Sequence, residues 1–161
     1  MNVATKSLAN LTAIDLMSHE FTAIPRHVTL RSAAHRLSQA GISGAPVVDA
    51  CGACIGVISS TDFVHWAEGS RPVRHDHAHS ECVCSDWQVC EAESLPTEEV
   101  GNYMTVDPVT AQPTTRIAEL ARMMLDAHIH RIIIVNQDNH PIGIVSATDI
   151  LAALASTAAG S

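Results

Sequence analysis

Apolar and polar positions along the chain follow two periods, and the same succession occurs twice. Between Ile117 and His128 the apolar residues Ile117, Leu120, Ala121, Met124 and Leu125 recur at three- and four-residue spacing, which predicts a helix with one apolar face. Leu30 to Ala40 holds the corresponding place earlier in the chain. Each helix follows a stretch predicted to be extended, Phe21–Pro25 or Val109–Pro113, and precedes a short β-rich run, Pro46–Val48 or Ile132–Val135. A polar turn, Asp49–Ala53 or Asn136–His140, separates that run from a second one, Ile55–Ile58 or Ile142–Val145. Two such runs around a Gly- or Asn-bearing turn predict a hairpin. Directly after it, Ser-x-Thr-Asp at Ser59–Asp62 and at Ser146–Asp149 opens a second helix, expected over Phe63–Ala67 and Ile150–Ala155.

The two successions keep one register. Met104 lies 87 positions after Met17, and Asp149 lies 87 after Asp62. Between those ends Ala34 falls on Ala121, Ala40 on Ala127, Ile42 on Ile129, Val48 on Val135 and Gly56 on Gly143, with no gap. Each copy therefore reads β-α-β-β-α, a mixed α/β (α+β) unit. A unit of roughly 55 residues buries little surface on its own. Two copies sharing a core would be stable, and a ligand would be expected in the cleft between them.

The duplicated unit, ending in Gly-h-h-Ser-x-Thr-Asp (h apolar), resembles the cystathionine-β-synthase (CBS) domain, and the pair resembles a Bateman module, two repeats about a pseudo-two-fold axis. The resemblance spans 11–67 for the first repeat and 100–155 for the second, with 68–99 as a connecting segment. The second repeat is similar to the nucleotide-binding repeats of the gamma subunit of AMP-activated protein kinase, through His130–Val135 and Gly143–Asp149. The resemblance implies a regulatory module that binds an adenine nucleotide (AMP, ADP, ATP or a related adenosyl ligand) and no other cofactor. It implies a flat homodimer, an effector protein as partner, and chemistry located elsewhere rather than in this chain.

Residue by residue, the resemblance implies that Asp149 accepts from the ribose hydroxyls and that His130 and Arg131 contact phosphate. Arg can make such contacts in bidentate fashion. Ser146 and Thr148 would donate beside a helix N-terminus, where the dipole favours phosphate. Ala127 and Ile129 would line the adenine pocket, with the main chain near Thr110 and Ala111 reading the base edge. The first repeat keeps Ser59, Thr61, Asp62, Ala40 and Ile42 but has Ser43-Gly44 in place of His130-Arg131, which removes the cationic contacts. The Ser-x-x-Asp motif is also a capping box that starts a helix without any ligand, and for Asp62 both readings stand.

The segment between the repeats carries His75, His77, His79, Cys82, Cys84 and Cys90, and the first hairpin turn carries Cys51 and Cys54. Imidazole and thiolate groups at close spacing suit zinc or copper. The spacing fits no structural zinc template, so a solvated loop is the preferred reading. A metal-binding accessory protein, and a purely structural dimerisation module, stand as alternatives to the nucleotide sensor. A Cys–His pair could serve as nucleophile and base, but no third group and no Gly-rich phosphate loop accompanies it.

Composition narrows the classes further. Aromatics make up 3% of the chain and the net charge is −8, with nine basic residues that form no cluster. Both features speak against nucleic-acid binding, which relies on basic patches and stacking platforms. No apolar run approaches the ~20 residues that span a bilayer. The first residues form no signal peptide, and five cysteines (an odd count) suit thiols, so a cytoplasmic setting is expected.

Overall fold

A computed structural model of the protein describes residues 7–68 and 97–158. In chain order the elements are α1 (Ala13–Leu16), β1 (Ile24–Pro25), α2 (Leu30–Ala40), β2 (Gly44–Val48), β3 (Cys54–Ser59), α3 (Ser60–Ala67), β4 (Thr105–Val106), β5 (Thr110–Ala111), α4 (Ile117–Ala127), β6 (Arg131–Val135), β7 (Pro141–Ser146) and α5 (Ala147–Ala158). Short 3-10 turns lie at Leu8–Asn10 and Val100–Asn102. Both repeats have the expected β-α-β-β-α order.

The boundaries differ from the sequence expectation most at the second helices and the leading strands. The second helices start at Ser60 and Ala147, not at Phe63 and Ile150. A serine caps each helix and the acidic residue reaches back to it, so Thr61–Asp62 and Thr148–Asp149 form the first turn itself. The leading strands shrink to two residues. Pro46 has no N–H to extend the parallel ladder of β2 with β1, which holds only at Ile24↔Val47 and Pro25↔Val48. In the second repeat the chain turns after Ala111, where Gln112 N donates to Thr115 Oγ1 (3.1 Å). Helix α1 and strand β4 are additional to the expected elements, and α1 opens on a capping box of Thr12 and Asp15.

The hairpin turns are the same device twice. Asp49 Oδ1 accepts from Cys51 N (2.9 Å) and Ala53 N (3.0 Å). Asn136 Oδ1 accepts from Asp138 N (3.0 Å) and His140 N (2.9 Å), 87 positions on. A short polar side chain that bonds the backbone two and four residues ahead fixes the turn. The left-handed residue falls at Gly52 in one copy and Asn139 in the other.

The described residues divide into two compact units that do not follow the repeat boundaries. One runs from Thr22 to Pro108. Its sheet has the order β1-β2-β3-β4, so the strand that leads the second repeat, β4, pairs with β3 at Gly56↔Val106 and Val57↔Thr105. Its core comprises Ile24, Leu30, Ala33, Leu37, Ala45, Val47, Ile58, Val100 and Met104. The other unit joins the residues up to Phe21 with those from Val109 onward. Its sheet has the order β5-β6-β7, and Ser18 bridges to Ile144 on the outer side of β7. Its core includes Leu11, Ala13 and Met17 packed with Ile117, Leu120, Ile132, Ile134 and Val145. Each unit thus combines the body of one repeat with the leading segment of the other. The bridge Thr12↔Arg116 in one has its counterpart in Glu99↔Thr29 in the other.

Candidate functional site

The predicted residues of the second repeat all lie in one unit, around the junction of β6, β7 and α5. Strand β6 is buried along Ile132–Val135 and exposed at Arg131, so the strand anchors itself in the core and presents its first residue outward. Arg131 stands opposite Ser146 in the antiparallel ladder. His130, also exposed, precedes it, and its carbonyl accepts from Ala147 N (2.9 Å), which ties the start of β6 to the start of α5. Ala127 and Ile129 flank His128, the left-handed cap of α4 (φ 52°), and Ile129 N donates to Met124 O (3.0 Å). Thr110 and Ala111 pair in parallel with Ile133 and Ile134, on the neighbouring strand. The structure therefore gathers His130, Arg131, Ser146, Thr148 and Asp149 at one strand-to-helix corner. Ala127 and Ile129 lie on the segment entering it, and Thr110 and Ala111 on the adjacent edge strand.

At that corner one oxygen of Asp149 serves the helix. Ser146 N (2.7 Å) and Ser146 Oγ (2.6 Å) both donate to Asp149 Oδ2, and Asp149 N donates to Ser146 Oγ (3.2 Å). The Ser146 hydroxyl is thus committed to the carboxylate. Thr148, exposed in the first turn, is the hydroxyl facing solvent. Asp149 Oδ1 accepts no hydrogen bond among the described residues, and the side chain is half-buried.

The first repeat builds the same corner in the other unit and fills it differently. Gly44 stands opposite Ser59, and Ser60 N donates to Ser43 O (2.8 Å). A Cβ on Gly44 would lie 3.1 Å from Ile58 O and 3.3 Å from Ser59 Cβ, so no side chain reaches out where Arg131 does in the second repeat. Asp62 Oδ2 accepts from Ser59 N (2.6 Å) and Ser59 Oγ (3.0 Å), as in the other copy. Its Oδ1, however, accepts from Thr105 Oγ1 (3.2 Å), and Asp62 is 6% exposed. Burial pushes this carboxyl above the ordinary aspartate range, against the opposing pull of the Ser59 and Thr105 hydrogen bonds. Thr61 and Ala40 are exposed and Ile42 is half-buried. Thr105 is the residue that sequence reasoning missed. The available signal was Ser18, its counterpart 87 positions earlier, whose hydroxyl bonds Glu20 O (3.2 Å) instead of Asp149.

Cys51 is exposed in the turn, whereas Cys54 is the buried first residue of β3, not part of the turn as its spacing from Cys51 suggested. Its thiol donates to Gly56 O (3.7 Å), and burial raises its pKa. The segment from His75 to Cys90 lies outside the described residues. Among those described, no group of three or more His, Cys, Asp or Glu side chains could hold a metal ion. A surface depression along α4, lined by Arg116, Glu119, Arg122, Met123 and Asp126, shares no residue with either corner and mixes both signs of charge. No helix among the described residues is long and apolar enough to cross a membrane.

The family model of the CBS domain matches residues 13–69 and 100–156, and the chain belongs to that family as a pair of CBS repeats. Among curated proteins it is 27% identical over 119 residues to human 5′-AMP-activated protein kinase subunit gamma-3, covering 74% of this chain and 21% of that protein. It is 26% identical over 117 residues to the chloroplastic CBS domain-containing protein CBSX2 of Arabidopsis thaliana, covering 70% of this chain and 49% of the relative. The chain thus spans a fifth to a half of the length of these relatives. Two solved structures share the fold with a TM-score of 0.68 and cover 91% of this chain and 98% of theirs. They are CBSX2 in complex with AMP (20% identity) and a CBS domain pair in complex with 5′-methylthioadenosine and S-adenosyl-L-methionine (19% identity). Hypoxic Response Protein I with two coordinated zinc ions shares it with a TM-score of 0.65 and 20% identity, over 88% of this chain and 98% of that one.

Proposed function

We propose that this chain is a regulatory, non-catalytic module that binds an adenosyl nucleotide at the corner formed by β6, β7 and α5. The observation that carries this reading is the half-buried Asp149, held by Ser146 through one oxygen with the other open, next to the Arg131–Ser146 strand pair. A carboxylate fixed in this way is preorganised to accept ribose hydroxyls, and fixing it in advance lowers the ordering cost of binding. Arg131 and His130 supply donors for phosphate, and Thr148 adds a hydroxyl in the first turn of α5, where the helix dipole favours negative charge. Ala127 and Ile129 offer apolar surface for the base, whose edge the main chain at Thr110 and Ala111 reads. Structures of the same fold holding AMP, 5′-methylthioadenosine and S-adenosyl-L-methionine support the ligand class. Occupancy is read by an effector protein or by a second copy in a homodimer, through a change in the relative population of two arrangements.

Calorimetry and thermal shift with AMP, ADP, ATP and S-adenosylmethionine test this reading, with Asp149→Ala and Arg131→Ala beside wild type. Silence with every ligand, or undiminished binding by both variants, removes it. A second reading is metal binding by the segment His75–Cys90, supported by its residue types and by the zinc ions in Hypoxic Response Protein I. Stoichiometric metal in the purified protein, lost on replacing His75, His77 and His79 with Ala, would establish it.

A further inference from the structure

The two corners are equivalent in backbone and unequal in one hydroxyl. In the first repeat the Thr105 hydroxyl donates to Asp62 Oδ1 (3.2 Å) while Ser59 occupies Oδ2. In the second repeat Ser18 stands in the place of Thr105, and its hydroxyl donates to Glu20 O (3.2 Å). Two further differences act in the same direction. Asp62 is 6% exposed whereas Asp149 is half-buried, and Gly44 sits where Arg131 sits.

From this we infer that the first repeat is closed to nucleotide by its own chain: the Thr105 hydroxyl takes the position on Asp62 that a ribose hydroxyl would take, so one chain binds one nucleotide, in the second repeat. This rests on the binding role proposed for Asp149. Thr105 acts as a specificity-determining residue. A ligand entering the first corner would have to displace a partly buried hydrogen bond to a carboxylate, and such bonds contribute more than neutral ones. It would gain no cationic phosphate contact in exchange, since Ser43-Gly44 replaces His130-Arg131. Thr105 reaches Asp62 because β4 pairs with β3, with Thr105 opposite Val57. The exchanged leading segment thus delivers the closing group.

Carbodiimide coupling of an amine to carboxyl groups, mapped by mass spectrometry on the ligand-free protein, tests the closure without relying on binding. Asp149 should be modified and Asp62 protected. Thr105→Ala should speed modification of Asp62 at least several-fold, whereas Thr105→Ser, which keeps the hydroxyl, should preserve protection and serves as the check on folding. Asp62 modified as fast as Asp149 in wild type, or protection unchanged in a folded Thr105→Ala protein, overturns the inference. Calorimetry with AMP supplies the second arm. One equivalent per chain should bind, and Asp149→Ala should weaken that binding about 10- to 100-fold. Two equivalents, or binding of full strength in Asp149→Ala, overturns the inference as well. If AMP and the other adenosyl compounds do not bind at all while Asp62 shows its Thr105-dependent protection, the closure stands and the nucleotide reading of the second corner falls.

Discussion

Met17 lies against Gly143 so closely that a Cβ on the glycine would come 2.7 Å from the Met17 Sδ and 3.0 Å from Ser18 O. The contact lets Ser18 reach β7, where Ser18 N donates to Ile144 O (2.9 Å) and Ile144 N to Ser18 O (3.1 Å). In the other unit Gly56 plays the same part towards Met104, with Met104 Sδ at 2.6 Å and Thr105 O at 2.7 Å from the built Cβ. Both glycines are required by close approach of a neighbouring chain segment, not by an unusual backbone angle.

Replacing either glycine with alanine should therefore destabilise the fold, by about 1–3 kcal/mol for an overpacked site. Gly56→Ala should cost more, because its obstacle includes a backbone carbonyl at 2.7 Å, whereas the nearest obstacle at Gly143 is the flexible end of a side chain. Shortening Met17 to Ala in the Gly143→Ala background should recover part of the loss, and Met104→Ala should recover less for Gly56→Ala. Urea melts of the four proteins measure this. Equal costs, with equal rescue, would contradict the geometry.

Asp149→Ala should weaken AMP binding about 10- to 100-fold, the range for losing a hydrogen bond to a charged group. Its capping bond with Ser146 is also lost, at about 1 kcal/mol of stability, so binding is to be compared well below the melting temperature. Arg131→Ala should weaken AMP and ATP while leaving adenosine nearly unchanged, since only the phosphate loses a partner. Titration of all three ligands separates the two roles, and a uniform loss across them would place Arg131 away from the phosphate.

The buried Asp62 should leave a mark on the pH dependence of stability. Its carboxyl titrates above the ordinary value of 3.8, so the folded chain holds that proton more tightly than the unfolded one. Its contribution is largest at low pH, declines as pH rises from the ordinary value through the raised one, and is level above it. Asp62→Asn should remove that decline. Denaturation midpoints followed across an acidic pH series should show wild type losing ground to the variant as pH rises. A gap that moves the other way would refute the assignment.

Cys51 and Cys54, close in sequence, should differ in reactivity by roughly tenfold or more, because thiolate fraction and access both govern alkylation. Cys51 is exposed, while Cys54 is 4% exposed with its pKa raised by burial. Time-resolved iodoacetamide labelling read by mass spectrometry should modify Cys51 first. Comparable rates would mean that β3 opens at its first residue.

The body of each repeat was legible because its signals are local. The three- and four-residue spacing of Ile117, Leu120 and Met124, and the β-branched run Ile132–Val135, specify a helix and a strand whatever surrounds them. The exchange of leading segments was not legible, for a physical reason. Met17 and Met104 are equivalent, as are Gly56 and Gly143, so pairing within a copy or across copies leaves the same apolar pattern. The corner itself could be read from Ser-x-Thr-Asp. The unequal state of its two carboxylates could not, since it depends on which way the Ser18 and Thr105 hydroxyls turn. Cys54 was misplaced in the turn because spacing alone does not show where β3 begins.

The division into units has a consequence for synthesis on the ribosome. Thr22–Pro108 is one uninterrupted stretch nested within the other unit, so it can close as soon as β4 has emerged. Leu11, Ala13 and Met17 are made before it, yet their partners Ile132, Ile134 and Val145 are made after it. This leading segment must wait, with its apolar side chains uncovered, through the assembly of an entire unit, and non-local closure of this kind is slow. A chain released early would therefore present one finished half and one exposed hydrophobic strip, the state that chaperones and proteases act on.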